Sequence, residues 1–150
     1  MKASVGATLI AKFGFISADA EFVNYKSSKY KDNTGSSDLY DFDNDNIKST
    51  YKSVVNYRVG AEYRYKIYRA RLGYNLMADP YRVSGGVDRK TQSISGGVGM
   101  KLKTFYTDLT VVSSQTENAR VPYSVDGLPE PRAIQEIKNM NYLVTLGFNF

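Results

Sequence analysis

The sequence contains no cysteine, no histidine and no tryptophan among its 150 residues. The absence of cysteine excludes disulfide bonds and thiolate metal sites. Histidine is the commonest general acid or base and the usual zinc ligand, so its absence also removes every Ser-His-Asp or Cys-His catalytic arrangement. The composition therefore predicts a protein that is not an enzyme and that carries no cofactor.

Long hydrophobic runs are missing as well. No stretch approaches the roughly 20 consecutive apolar residues that a transmembrane helix needs, and the mean hydropathy is -0.41. The net charge is +5, but the basic residues are scattered, without the Lys/Arg block or stripe that nucleic-acid binding requires. The sequence therefore predicts no nucleic-acid partner and leaves strands as the only way to span a membrane.

The chain is rich in tyrosine and phenylalanine, with 13 and 7 residues, and in alternating sequence, both of which favour strands. Alternation defines seven segments, each close to the 9–11 residues with which a tilted strand crosses a bilayer. They lie near residues 2–11, 15–25, 54–65, 68–78, 91–102, 105–113 and 141–150.

The alternation separates an apolar face from a polar one. In the third segment Val55, Tyr57 and Val59 alternate with Asn56 and Arg58. Such a strand suits a wall with lipid on one side and water on the other. The last segment shows the same alternation, with one face formed by Tyr142, Val144, Leu146, Phe148 and Phe150. We therefore predict an all-β fold, an antiparallel transmembrane β-barrel that occupies residues 1–150.

The connections between the segments are of two lengths. Turns near Lys12 to Gly14, Lys66 to Ile67 and Lys103 to Thr104 are short. Three long polar loops are predicted at 26–53, 79–90 and 114–140. Short periplasmic turns and long outer loops are typical of outer-membrane barrels. The loop at 114–140 is interpreted as a lid, a protein contact or a variable surface loop.

An odd number of strands leaves the first and last strands parallel, and two open edges in lipid are prohibitive. Met1 also leads directly into an alternating strand and not into a signal peptide. We therefore expect this chain to be the C-terminal portion of a longer barrel, whose remaining strands, or another chain, close it.

The run Tyr57-Arg58-Val59-Gly60-Ala61-Glu62-Tyr63-Arg64, with Arg69-Ala70-Arg71-Leu72-Gly73-Tyr74 and Asp79-Pro80-Tyr81, resembles the FadL/TodX outer-membrane transporter family, in its Bacteroidetes form. The resemblance implies a 14-stranded barrel in the complete protein, of which the seven strands here are the C-terminal half. It also implies uptake of hydrophobic small molecules such as long-chain fatty acids across the outer membrane of a Gram-negative bacterium. Some relatives are labelled hemin receptors, but this chain offers only Tyr or Met as axial ligands, so haem is not expected.

The resemblance also concerns the end of the chain, where Phe150 is similar to the terminal residue that the barrel-assembly machinery reads. The expected partners are accordingly outer-membrane lipid, this machinery, the strands that complete the barrel and a hydrophobic small-molecule ligand.

The polar face is strongly charged. Its arginines could hold a fatty-acid carboxylate through bidentate hydrogen bonds. Alternatively, and this is the favoured interpretation, the charges form ion pairs between adjacent strands that brace a wet interior. The candidate residues are Arg58, Glu62, Arg64, Arg69, Arg71, Asp19, Glu21, Lys101 and Asp108.

Two further patterns have both a functional and a structural interpretation. Glycines on the polar face either leave space for a plug or a lateral opening, or permit strand bending, which is favoured. The carboxylates Asp41, Asp43 and Asp45 form a weak calcium candidate. However, counting from Asp41, position six is Asn46 and position twelve is Lys52, so the EF-hand pattern fails. A solvated acidic loop is the favoured interpretation.

Three functions remain open at this point. The first is FadL-like uptake of hydrophobic compounds, and the second is a structural or accessory barrel subunit of an outer-membrane complex that does not transport. The third is a soluble lipocalin-like barrel, which requires apolar side chains inside and polar ones outside.

Overall fold

The structure, a computed structural model, describes residues 1–31, 40–82, 87–120, 122–123, 131 and 133–148. Seven antiparallel strands form one sheet in which each strand pairs with its neighbours in the sequence. The strands are β1 (Lys2–Ala11), β2 (Gly14–Asn24), β3 (Ser53–Tyr65), β4 (Tyr68–Met77), β5 (Thr91–Lys101), β6 (Phe105–Arg120) and β7 (Ala133–Phe148). The predicted all-β class and strand number are confirmed, while Asn149 and Phe150 lie outside the described residues.

The sheet keeps its two faces separate from one edge to the other. Residues that lie directly opposite each other on paired strands share a face. Glu62 lies opposite Arg71, and Ala61 lies opposite Leu72. The same parity holds in all six ladders, so the predicted polar and apolar faces are each continuous. We call them the polar face, which contains Glu62, and the apolar face, which contains Leu72.

Exposure is inverted relative to a water-soluble sheet. On the apolar face Val5 is 73% exposed and Leu72 is 70% exposed, and large exposed side chains occur on all seven strands. On the polar face Asn56 is 2% exposed and Glu62 is 7% exposed, because the large side chains of this face cover one another. Among the described residues only Val54 and Val87 are buried hydrophobics. The sheet is therefore a single layer without a hydrophobic core.

One end of the sheet carries the three short turns, at residues 12–13, 66–67 and 102–104, and we call it the short-turn rim. Lys66 adopts a φ of 54°, as a two-residue hairpin loop with a primed turn requires. Gly14, at φ +154°, lies so close to the backbone of Glu62 that a Cβ atom would overlap it. The predicted short turns are confirmed.

The long loop predicted at 26–53 is partly wrong, because residues Asp41–Thr50 form a helix, α1, and Tyr25–Ser27 form a 3₁₀ turn. The helix contains only two apolar residues, Phe42 and Ile47, so the sequence shows no apolar stripe from which to predict it. It is held by a tertiary contact: Asn44 accepts a hydrogen bond from the Tyr30 amide at 2.8 Å and donates one to the Tyr30 carbonyl at 3.2 Å.

The predicted loop at 114–140 is also wrong at both ends. Strands β6 and β7 pair as far as Arg120 and Ala133, well beyond the predicted ends at 113 and 141. The added segments carry polar residues on both faces, so no alternation marks them as strand. At about 3.3 Å per residue, the additional ladder extends the hairpin by roughly 23 Å.

The connection after β4 is pinned to the segment that follows α1, at the end of the sheet opposite the short-turn rim, which we call the long-loop rim. Tyr51 and Tyr81 form a β-bridge with ring centroids 5.1 Å apart. Asp79 accepts hydrogen bonds from the amides of Tyr81 at 2.9 Å and Arg89 at 3.2 Å. The guanidinium of Arg89 covers the Tyr81 ring at 4.7 Å. These contacts hold the connection between β4 and β5 against the segment before β3 at the long-loop rim.

The sheet is open. Within the described ranges, β1 pairs only with β2 and β7 pairs only with β6, which leaves one edge of each unpaired. No helix in the described part of the chain is long and apolar enough to cross a membrane.

Candidate functional site

The nine charged residues predicted from the sequence do lie on the polar face, but at two levels. A row of small residues, Thr8, Ser17, Gly60 and Gly73, crosses the first four strands between the two levels. Arg58 lies on one side of this row and Glu62 on the other, about 13 Å apart along β3 at 3.3 Å per residue. The site therefore consists of two charge clusters and not of one ladder.

The cluster towards the long-loop rim is centred on Glu21. Its carboxylate contacts Lys2 at 2.8 Å and Arg58 at 3.2 Å, and Arg58 also reaches Asp19 at 3.4 Å. Asn56 donates to Glu21 at 3.3 Å and accepts from the backbone amide of residue 78 at 3.0 Å. The two cations and two carboxylates balance, so this cluster braces β1, β2 and β3.

The cluster towards the short-turn rim is centred on Glu62. Its carboxylate forms ion pairs with Arg64 on the same strand and with Arg71 at 2.6 Å on the neighbouring strand. Arg71 also contacts Asp108 at 2.6 Å, and the Arg64 guanidinium lies 5.6 Å from the Phe15 ring centroid. Arg71, on β4, therefore connects carboxylates on β3 and β6, four neighbouring strands of the sheet.

Glycines on β5 make this long ion pair possible. Arg71 on β4 lies opposite Gly97, and Asp108 on β6 lies opposite Gly99. A Cβ atom at Gly99 would overlap the Asp108 carboxylate. The Asp108 side chain therefore lies directly over Gly99, and from there its carboxylate contacts Arg71. The same holds for Gly147, whose Cβ position is occupied by the Tyr106 ring. At Gly99 and Gly147 the space is filled by side chains of β6, so neither glycine leaves room there for a plug or a lateral opening.

Two of the predicted cations, Arg69 and Lys101, have no carboxylate within ion-pair distance in the described residues. Together with Arg71, Tyr106 and Asp108 they line a recess of about 290 Å³. The cluster as a whole holds four cations and two carboxylates, so positive charge is in excess where the recess opens. This arrangement suits a small anionic group, which Arg69 can bind through two parallel hydrogen bonds.

Sequence reasoning missed three members of the polar-face site: Lys2, Asn56 and Tyr106. Alternation assigns all three to the polar face, but it gives no reason to select an uncharged side chain or the first cation of the chain. Asn56 is the most buried member, and it links Glu21 to the connection after β4.

The calcium candidate does not assemble. Asp41, Asp43 and Asp45 lie on α1, where residues two apart point to opposite sides. Asp45 is paired with Lys48 at 2.8 Å, and this contact raises the pKa of Lys48. No group of three or more Asp or Glu residues in the described ranges is arranged to hold a metal ion. Carboxylates in a first helical turn, such as Asp41 and Asp43, interact favourably with the helix dipole instead.

Comparison with known proteins gives no relative: no family model, no curated protein and no solved structure matches the chain. The arguments about function therefore rest on the sheet itself.

Proposed function

We propose that this chain is part of an outer-membrane β-barrel of FadL-like type, from a Gram-negative bacterium, that takes up hydrophobic small molecules such as long-chain fatty acids. The observation that carries the proposal is the inverted sheet. An exposed apolar face that spans seven strands is far larger than the isolated apolar patches that soluble monomers tolerate. A lipid environment stabilises such a face, and the polar face then borders water.

The direction of the strands supports closure by further strands. In an antiparallel meander β1 and β7 run in the same direction, so direct pairing between them would be parallel. An odd number of additional strands restores antiparallel pairing at both open edges and makes the total even, as in single-chain bacterial barrels. Seven additional strands would give the 14-stranded barrel that the resemblance implies.

The recess beside Arg69 and Lys101 supports an amphipathic ligand with an acidic head. The other three arginines of the predicted set are engaged by Asp19, Glu21, Glu62 and Asp108. The bracing interpretation thus accounts for most of the charge, and the two remaining cations bind the carboxylate of the ligand while its hydrocarbon chain passes along the barrel.

Uptake by cells that express the complete protein tests this role. The Arg69→Gln/Lys101→Gln double variant should reduce uptake of a long-chain fatty acid by about tenfold or more, since each charge-assisted hydrogen bond contributes about 1.5–3 kcal/mol. Uptake of the methyl ester, which lacks the charge, should not change.

The matched control is Lys48→Gln/Lys138→Gln, which removes two exposed cations away from the recess, one on α1 and one on the outer part of β7. Equal uptake by the double variant and the control would refute the carboxylate role. Unchanged uptake of every hydrophobic compound after deletion of the gene would refute transport altogether.

A structural subunit of an outer-membrane complex is the second candidate, and the β6–β7 hairpin favours it. The hairpin extends beyond the long-loop rim and presents an unpaired β7 edge, to which another chain can add a strand. Stable co-purification of another membrane protein, lost when residues 117–135 are deleted, would favour this role over transport. Extraction of the protein without detergent would instead support the soluble lipocalin-like alternative.

A further inference from the structure

The apolar face contains a groove of about 390 Å³ next to the short-turn rim. Its lining is almost wholly apolar and comes from the first four strands. This volume lies in the range of about 300–1,000 Å³ that is typical of small-molecule sites. Glu62 is the only charged residue in the lining of the groove, and the ion pairs of its carboxylate lie on the opposite, polar face of the sheet.

The register explains why a groove forms here. Ala11, Gly14 and Ala70 occupy one level of the apolar face, and Ala61 occupies the next. Their side chains are too small to fill the surface, whereas larger neighbours such as Leu72 stand above it. Gly14 cannot be replaced by a larger residue without overlapping Glu62. The close approach of β2 to β3 therefore maintains the depression.

Two lysines lie in the turns of the short-turn rim next to these strands, Lys12 between β1 and β2 and Lys66 between β3 and β4. The ammonium group of Lys12 is 5.4 Å from the ring centroid of Phe13, which lines the groove. The ammonium group of Lys66 is 5.4 Å from the ring centroid of Tyr65. The two turns are neighbours, since the amide of Arg64 donates to the carbonyl of Phe13 at 2.6 Å. Neither lysine has a carboxylate partner within the part of the chain that the structure describes.

We propose that this groove binds one anionic phospholipid, with an acyl chain on the floor of Ala11, Gly14 and Ala61 and the headgroup phosphate between Lys12 and Lys66. The charge of the two ammonium groups is complementary to the phosphate, and their aromatic neighbours hold them at interfacial depth. The proposal rests on the membrane location proposed above, but it is independent of the transported ligand.

A lipid fits this site better than a free anion does. Exposed lysines alone bind inorganic phosphate weakly in water, because the ions are well solvated and screened. The apolar groove adds burial of the acyl chain, which contributes about 0.8 kcal/mol for each CH₂ group removed from water. In a bilayer the neighbouring lipids offer the chain the same burial, so selectivity among lipids comes from the headgroup.

Native mass spectrometry of the complete protein in nonionic detergent tests the assignment. Phosphatidylglycerol and phosphatidylcholine with identical acyl chains are supplied together, and the ratio in which they are retained is measured. The wild type should prefer phosphatidylglycerol. The Lys12→Gln/Lys66→Gln variant should lose about 10- to 30-fold of this preference, which corresponds to about 1 kcal/mol per lysine.

Lys48→Gln/Lys138→Gln makes the same change in net charge away from the groove and should keep the preference. Ala61→Trp fills the groove without removing a lysine and should reduce retention of both lipids.

Equal retention of the two lipids by the wild type, or the same loss of preference in both double lysine variants, would overturn the proposal. Displacement of the lipid by excess inorganic phosphate would also overturn it, because the groove would then contribute nothing. Normal fatty-acid uptake alongside such a result would show that only the lipid site is wrong.

Discussion

The location of the apolar face in a bilayer can be tested with a single charge at Val98. This residue is 62% exposed and lies at the centre of the alternating apolar positions that run from Ile94, in β5, to Leu102, just after the strand ends. The ends of this band are each about 13 Å away along the strand at 3.3 Å per residue. Its neighbours across the sheet, Ala70 and Leu109, provide no counter-charge.

In lipid, Val98→Arg should therefore destabilise the folded protein by about 2–4 kcal/mol, as an arginine on the lipid face at the bilayer midplane does. If the face were in water, the same change at an exposed site would stay within roughly 0.5 kcal/mol. The two expectations differ by more than the error of the measurement, which is the free energy of unfolding of the complete protein in lipid vesicles, obtained by denaturant titration.

The matched control is Gln92→Arg, on the same strand and the same side of the sheet but beyond the apolar band. Near the interface the cost of arginine falls to about 0–1 kcal/mol. If arginine lowers the free energy of unfolding by small and equal amounts at positions 98 and 92, the membrane location is refuted. A large cost at both positions would point to strand disruption by arginine and would contradict the depth argument.

Substitutions at three further positions test the contacts that organise the polar face and the loops. Gly99→Val should displace the Asp108 carboxylate and destabilise the protein by about 1–3 kcal/mol through overpacking, while Gly99→Ala should cost less, which denaturant titration in vesicles will measure. Asp79→Ala should leave two backbone amides without acceptors, at about 1–3 kcal/mol of local stability, so trypsin should cleave the connection after β4 faster than in the wild type. Asn44→Ala should release the segment before α1, seen as faster hydrogen exchange at the Tyr30 amide; unchanged exchange would show that Asn44 does not hold this segment.

The strands β1 to β5 could be predicted within one or two residues because each has one apolar and one polar face, and this alternation is visible in the sequence alone. The outer parts of β6 and β7 could not be predicted, because neither face is apolar there. Helix α1 was missed for a related reason. Its order comes from Asn44 and from the bridge between Tyr51 and Tyr81, which are contacts between segments distant in the sequence.

The contacts of the candidate site also divide into those that the sequence predicts and those that it does not. The two-residue turn at Lys66 sets the register of β3 and β4, so the pairing of Glu62 with Arg71 follows from counting. The pairing of Glu21 with Arg58 does not, since β2 and β3 are joined by a long connection that leaves their register free. The contact between Arg71 and Asp108 passes over a whole strand and depends on Gly99, so no count of opposite residues predicts it.

The meander order of the sheet also has a consequence for the folding pathway. Every ladder joins strands that are adjacent in the sequence, so contacts are local and three hairpins can form across short turns. The entropic barriers are then concentrated in the long connections, above all those that join β2 to β3 and β6 to β7, where the cost of closure grows with the length of free chain. Helix α1 and the extended β6–β7 ladder both shorten that free chain. These two elements thereby lower the entropic cost of forming the β2–β3 and β6–β7 ladders.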